Sequence, residues 1–332
     1  MAACSGAVVV TDDADRFHQA LRPSGGNFTV TAPGVFAAKH VRIDLPRVLM
    51  QGAQETLPRI WEGDLSHERH VISCQISPGP SLFANGAEIG PGEIVLHGSS
   101  AAMLCHRTTG PTRWGGMSLP SRDWEAIAIA VGHDLTPRAD VPKITVPETA
   151  LTRFRRLHAS AMDMAENAPQ HLANPDAAHG LEYELVQAMT DCLATSVTPS
   201  STAATRRHAT IMKRFYQALE ASVDEPIYLP QLCIAIGASD RTLRLCCQEY
   251  LGIGPKRYLH LRRMHLARRA LLRAAAGTDN VTTIATRFGF WELGRFAVDY
   301  HMLFGEAPST TLRSARPRRA RAAALLLPFL HS

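Results

Sequence analysis

The chain has 332 residues, 45% of them hydrophobic and 20% charged, an ordinary globular composition with enough length for two separate cores. No stretch approaches the ~20 apolar residues of a membrane span, so no membrane partner is expected. The net charge of +5 hides a division: residues 201–332 carry 20 Lys and Arg against 9 Asp and Glu, whereas the remainder carries 15 against 21. Basic charge gathered at one end is the footprint of polyanion binding, although a solvated surface would account for the charge alone.

The chain opens with a Val8-Val9-Val10 run that meets Asp12, Asp13 and Asp15 at once. It lacks a basic n-region and a long apolar stretch, so no signal peptide is expected. From about Phe28 to Leu119 the pattern is β. Short runs at Val41–Leu45, His70–Ile76 and Glu93–Leu96 are broken by Pro33-Gly34, Pro78-Gly79-Pro80, Asn85-Gly86 and Gly90-Pro91-Gly92. Many short strands at this spacing predict a sandwich or small barrel. Helical spacing follows, with Ser121 read as an N-cap and helices over 147–166 and 176–195. An N-terminal β-rich domain over 1–198 is therefore expected, with a core at about 28–119 and helices at about 121–196. The Ser/Thr/Ala stretch 199–205 divides acidic from basic halves and reads as the linker.

An all-α domain is predicted over 206–313, beginning with a helix at 206–221. Within it one helix-turn-helix pattern occurs twice, from Leu229 and again from Val281, 52 residues later. Leu232 with Cys233, and Ile284 with Ala285, form the packing faces of the first helices. Gly237 and Gly289 follow, where a sharp turn needs φ > 0. The second helices should bury Leu243 and Leu245 in one copy, and Phe296 and Tyr300 in the other. Both copies finish alike, in Gly252-Ile-Gly-Pro255 and Gly305-Glu-Ala-Pro308. Pro255 opens a long helix to about Ala274. Its basic residues Lys256, Arg257, Arg262, Arg263, Arg268 and Arg269 cannot share one face, so some must pack or pair. A rigid helix here would hold two reading heads about one DNA turn apart, roughly 34 Å. Residues 314–332 read as a basic and apolar tail. The seven cysteines form no CxxC pair, which fits reduced thiols used as small apolar residues. Of Cys246 and Cys247, at least one should face the core, and a redox switch there is the minor alternative.

Gly237-Ala-Ser-Asp-Arg-Thr-Leu, Gly254-Pro-Lys-Arg-Tyr-Leu with Arg263-Met-His-Leu-Ala-Arg268, and Gly289-Phe-Trp-Glu-Leu-Gly-Arg-Phe through Phe304-Gly-Glu-Ala-Pro-Ser resemble the AraC/XylS transcription regulators. The resemblance covers about 100 residues, Ile211 to Arg313. It implies a bacterial DNA-binding domain with two helix-turn-helix units joined by a long helix, behind a cupin-like domain that senses an effector, dimerises or both. The fold class expected is thus α+β: a cupin-like β-sandwich or barrel with trailing helices, then an all-α double helix-turn-helix domain. The implied function is sequence-specific transcription regulation in the cytoplasm, as an activator responding to a small molecule. The implied partners are double-stranded promoter or operator DNA, RNA polymerase, an effector and a second copy of the chain.

The expected DNA-binding residues are Ser239, Arg241, Thr242, Arg244, Gln248 and Lys256 at the first unit and Trp291, Glu292, Leu293 and Arg295 at the second. Arg241 and Arg244 lie three apart on one face, and arginine can hold guanine O6 and N7 bidentately; a phosphate contact or solvent is the alternative for either. Arg295 is the main base-reading candidate of the second unit. Trp291 and Leu293 touch thymine methyls or simply pack, and Gly294 leaves that unit poor in donors. The competing reading is a metal-dependent cupin enzyme using His67, His70, His97 and His106 with Glu68 or Glu93. His67-Glu-Arg-His70 lacks the His-x-His pair that presents two ligands from one strand face, so no catalytic residue, metal or cofactor is expected. Phe36, Trp61, Phe83 and Trp114 would line an effector pocket inside the β domain, or serve as plain core.

Overall fold

The computed structural model describes residues 4–21, 26–63, 68–98, 104–132, 134–222, 226–274 and 279–314. The tail beyond 314 and His67 lie outside these. In chain order the β domain contains β1 (Ser5–Thr11), α1 (Ala14–Ala20), β2 (Asn27–Val30), β3 (Ala38–Asp44), β4 (Leu49–Glu55), β5 (Arg59–Gly63), β6 (Arg69–Gln75), β7 (Leu82–Ala84), β8 (Ala87–Ile89), β9 (Glu93–His97), β10 (Leu104–Thr108), β11 (Thr112–Pro120), α2 (Ser121–Val131), β12 (Lys143–Thr145), α3 (Glu148–Asn167) and α4 (Pro175–Ala194). The helical domain contains α5 (Ala203–Glu220), α6 (Leu229–Ile236), α7 (Asp240–Leu251), α8 (Pro255–Arg273), α9 (Val281–Arg287) and α10 (Leu293–Phe304).

The strands form two antiparallel sheets, β1-β3-β4-β11-β6-β9-β12 and β2-β5-β10-β7-β8, so the expected two-layer β architecture with trailing helices is present. The larger sheet buries Ile43, Met50, Ile72 and Met117 against α3 and α4. Helix α3 meets it with Leu151, Phe154, His158, Ala161, Met162 and Ala165, an i, i+3, i+4 stripe. Asn85-Gly86 turns β7 into β8 with both residues at positive φ, the signature of a two-residue hairpin. Strand β1 and helix α1 precede the expected β core, and Phe17 of α1 is fully buried against Phe28 and Phe36.

Two local expectations change. Pro120, not Ser121, is the N-cap of α2, and the Ser121 hydroxyl is buried without a hydrogen-bond partner. Helix α5 starts at Ala203 because the Thr202 hydroxyl accepts from Thr205 N–H at 3.1 Å, so the helix reaches into the stretch read as linker. Val197, just ahead of it, bridges to Thr145 of the β domain.

The smaller sheet joins the two domains. Ile60 of β5 and Cys105 of β10 belong to the same buried cluster as Met212, Phe215, Leu243, Cys247 and Tyr258. Long-range polar contacts reinforce the seam. His265 of α8 bonds the Val30 carbonyl at 3.1 Å, Arg268 pairs with Asp13 and Asp15, and Arg269 donates to Asn27.

Candidate nucleic-acid interface

In each unit a short helix ends at a glycine held in the left-handed region, φ 65° at Gly237 and 76° at Gly289. A side chain there would strain the backbone, and at Gly289 a Cβ would stand 3.0 Å from Arg263 and 3.1 Å from the Tyr228 hydroxyl. The second helix of the first unit, α7, starts where the Ser239 hydroxyl accepts from Thr242 N–H at 3.2 Å, a cap worth about 1 kcal/mol. Leu243, Cys246, Cys247, Tyr250 and Leu251 hold its inner face. Both cysteines are buried, and burial pushes the Cys246 thiol up to about 11 and Cys247 higher still, which makes them inert packing groups.

Arg241, Arg244, Leu245 and Gln248 form the outer face of α7. Leu245 is 59% exposed, against the expectation that it is buried. At about 100° per residue it stands roughly 200° round the helix from Leu243 and 160° from Cys247, so it points away from the face those two share with Cys246. Arg244 is engaged: its Nε and Nη2 donate to both carboxylate oxygens of Asp240, each at 2.9 Å. That pair leaves Nη1 for an external partner, and Arg241 is the unencumbered arginine of the two. Gln248 donates to the Gly252 carbonyl at 3.2 Å, and Ser239 and Thr242 share a 2.9 Å hydroxyl contact, so these three serve the helix ends first. Lys256 is exposed at the start of α8.

Arg241, Thr242, Arg244, Leu245 and Gln248 line an open groove of about 890 Å³ together with Arg207 and His208 of α5. Sequence reasoning missed the last two, because α5 lies outside the repeat and only tertiary packing lays it beside α7. His208 Nδ1 sits 2.6 Å from the Glu249 carboxylate, which ties α5 to α7.

The second unit repeats the plan with an aromatic core. Phe290, Phe296, Tyr300 and Leu303 are buried, while Trp291 is 73% exposed and Arg295 and Glu292 face solvent. Leu293, at 36%, is the least exposed of this group. Nothing lies within 4 Å of a Cβ built on Gly294, so the face is open there. Arg263 of α8 links the two units: its guanidinium lies 5.2 Å from the Phe290 ring and 5.8 Å from that of Tyr228, and Nη1 donates to the Gly289 carbonyl. The basic residues of α8 divide as their spacing requires. Arg262 is buried and bonds the Leu219 carbonyl, Arg268 and Arg269 face the β domain, and Lys256 and Arg257 remain outside.

Of the histidines of the enzyme alternative, His97 and His106 come together and His70 does not join them. His97 and His106 face one another across the two sheets with ring centres 4.9 Å apart, and Ser73 lies 3.1 Å from His97 Nε2. Burial keeps both neutral, holding His97 down at about 3 and His106 well below its ordinary value. His70 stacks on Trp124 instead, and Glu93 pairs with Lys143 at 2.7 Å. Among the described residues no three His, Cys, Asp or Glu converge as a metal site. The four aromatics named for an effector pocket also divide. Phe36 and Trp61 lie in one core cluster, Trp114 packs at its edge and donates to Glu55, and Phe83 lies beneath the Arg107 guanidinium at 3.6 Å.

Two successive helix-turn-helix units on a shared helix define the C-terminal part as a double-headed module of the kind that docks on DNA. Residues 232–314 match the family described as a helix-turn-helix domain. The chain is 43% identical over 96 residues to the probable thc operon regulatory protein of Rhodococcus erythropolis, covering 29% of either chain. It is 35% identical over 104 residues to the XylDLEGF operon transcriptional activator of Pseudomonas putida, covering 31% of this chain and 32% of that one. The match thus spans about a third of the length of these curated relatives. Among solved structures it is similar to the AraC-like transcriptional activator CuxR, 16% identical over 85% of this chain and 100% of that one, with a TM-score of 0.39, too distant to bear on the fold. Over the helical domain the chain is thus similar to curated operon regulators, and its family match is to a helix-turn-helix domain.

Proposed function

We propose that the protein is a sequence-specific, double-stranded-DNA-binding transcription activator with no catalytic activity of its own. The observation that carries this reading is the pair α7 and α10, built on one scaffold, each offering an exposed arginine in its first turns. Arg241 stands beside the exposed Leu245, and Arg295 beside Trp291. Large apolar side chains left in solvent next to basic groups fit base edges and thymine methyls in two major grooves, with Lys256 and Arg207 on phosphates. Ser239, Thr242 and Gln248 orient α7, and Glu292 and Leu293 form the rim of the second head. Arg263 keeps the heads at constant spacing. The β domain is the sensing and self-association part, RNA polymerase is the protein partner, and the cytoplasm is the place of action.

The test uses the full chain: binding sites are selected from random duplex DNA, and affinity is then followed against salt. Several phosphate contacts predict log affinity falling with log salt with a slope of several units. A flat response, or no enriched sequence, overturns the proposal. The facing pair His97 and His106 is the observation behind the enzyme alternative. Near-stoichiometric iron or zinc in purified protein, lost on replacing either histidine, would favour it.

A further inference from the structure

Helix α5 lies outside the repeat, and its two sides differ. Ile211, Met212, Phe215, Tyr216 and Leu219 are buried and fix its inner side. At about 100° per residue, Arg206, Arg207, Thr210, Lys213, Arg214 and Gln217 share an arc of about 120° on the other side. All six are exposed, four are cations and none is acidic. Cations elsewhere on the surface have partners: Lys39 holds Glu166, Arg153 holds Glu184, and Arg244 holds Asp240. Among the described residues no carboxylate lies within ion-pair distance of the four on α5. The acids beside the stripe are engaged, Glu249 with His208 at 2.6 Å and Asp140 with Arg138 at 2.8 Å.

Two contacts join the stripe to the first reading head. Arg207 lines the groove in front of α7 together with Arg241 and Arg244. Arg214 Nη1 donates to the Ile236 carbonyl at 3.4 Å, beside the Gly237 turn. We propose that α5 is a backbone-binding track, which carries duplex DNA beyond the half-site read by α7 and grips phosphates whatever their sequence. Charge and continuity choose this partner: the stripe is purely cationic, and one end of it borders the DNA-reading groove. Arg206 with Arg207, and Lys213 with Arg214, form two cation pairs about 10 Å apart along the helix, so they meet different phosphates. Phosphate contacts outside a groove add affinity and salt dependence but no base preference. The track rests on the proposed DNA-binding function and extends its footprint to a surface outside both helix-turn-helix units.

The full chain is titrated by fluorescence anisotropy with three labelled duplexes carrying its selected site. One ends at the site, and the others add about ten base pairs of unrelated sequence at one end or the other. The α7 end is the half whose base preference responds to Arg241→Ala. Wild type should bind the duplex extended at that end about tenfold more tightly than the unextended one, for any added sequence. Extension at the other end should add nothing. Arg206→Gln/Lys213→Gln should lose the gain, show a salt slope on the extended duplex smaller by about two, and bind the unextended duplex like wild type. Arg214 stays intact because it supports the Gly237 turn. Both replaced positions are exposed, so unchanged melting verifies folding. Equal wild-type affinity for all three duplexes overturns the track, as does an equal gain from either end or a gain that survives in the double variant. A gain that depends on the added sequence overturns backbone binding. If wild type binds no duplex at all, the proposed function fails and the track with it, whereas binding without an effect of extension sinks the track alone.

Discussion

Replacing Glu62 by glutamine should make the protein more stable, and increasingly so as pH rises. Glu62 lies on β5 at the seam between domains, 3% exposed. Burial pushes its carboxyl from the ordinary 4.5 up to about 7, although the neighbouring Tyr258 hydroxyl, the Arg262 charge and the Asn27 amide pull it down. Below pH 4.5 folded and unfolded chains both carry the proton. Between 4.5 and 7 the unfolded chain loses it while the folded chain keeps it, so stability falls as pH rises through that window. The loss is complete above about pH 7. At 1.36 kcal/mol per pH unit it amounts to about 3 kcal/mol. Glutamine cannot ionise, so whatever its amide does to packing is the same at every pH. Urea denaturation of wild type and Glu62→Gln at pH 5, 7 and 9 measures the difference between them. It should shift toward the variant by about 3 kcal/mol over that range. A difference that does not move with pH would mean that Glu62 is not buried as a neutral acid. One that moves the other way would mean that Arg262 holds it as a carboxylate in the folded state.

Arg241→Ala should relax base preference at one position of the selected site and cost about 1–3 kcal/mol; Lys256→Ala should weaken all sequences alike. An unchanged sequence logo with Arg241→Ala would make that arginine a phosphate anchor. Arg244→Ala should cost less than Arg241→Ala, because Asp240 already occupies two of its nitrogens, and equal losses would refute the pairing as a competitor. Arg268→Ala leaves Asp13 without its cation, and Asp15 with only Arg269 at 3.8 Å, and should lower stability by about 3 kcal/mol, read by denaturation at pH 7. A loss below a few tenths would show that the contact is not formed in solution.

Much of the helical domain could be read from residues near in sequence. A glycine forced to positive φ at Gly237 and Gly289, the serine cap at Ser239 and the apolar spacing of Phe296 and Tyr300 are local demands. Each is met within one or two turns of its own helix, so the repeat shows directly in the chain. The strands at 41–45, 70–76 and 93–96 are legible for the same reason, since alternation is a property of the segment itself. Leu245 reads as core by composition, although the 3.6-residue period alone sets it opposite Leu243 and Cys247. Which charged side chains stand free is not legible in this way. Arg268 and Arg269 read only as members of a basic set of which some must pack or pair, until the fold sets Asp13, Asp15 and Asn27 against them, 242 to 255 residues earlier in the chain. The ionisation of Glu62 exists only at the seam between domains. There the free energy depends on what water is excluded, and no stretch of sequence carries that information by itself.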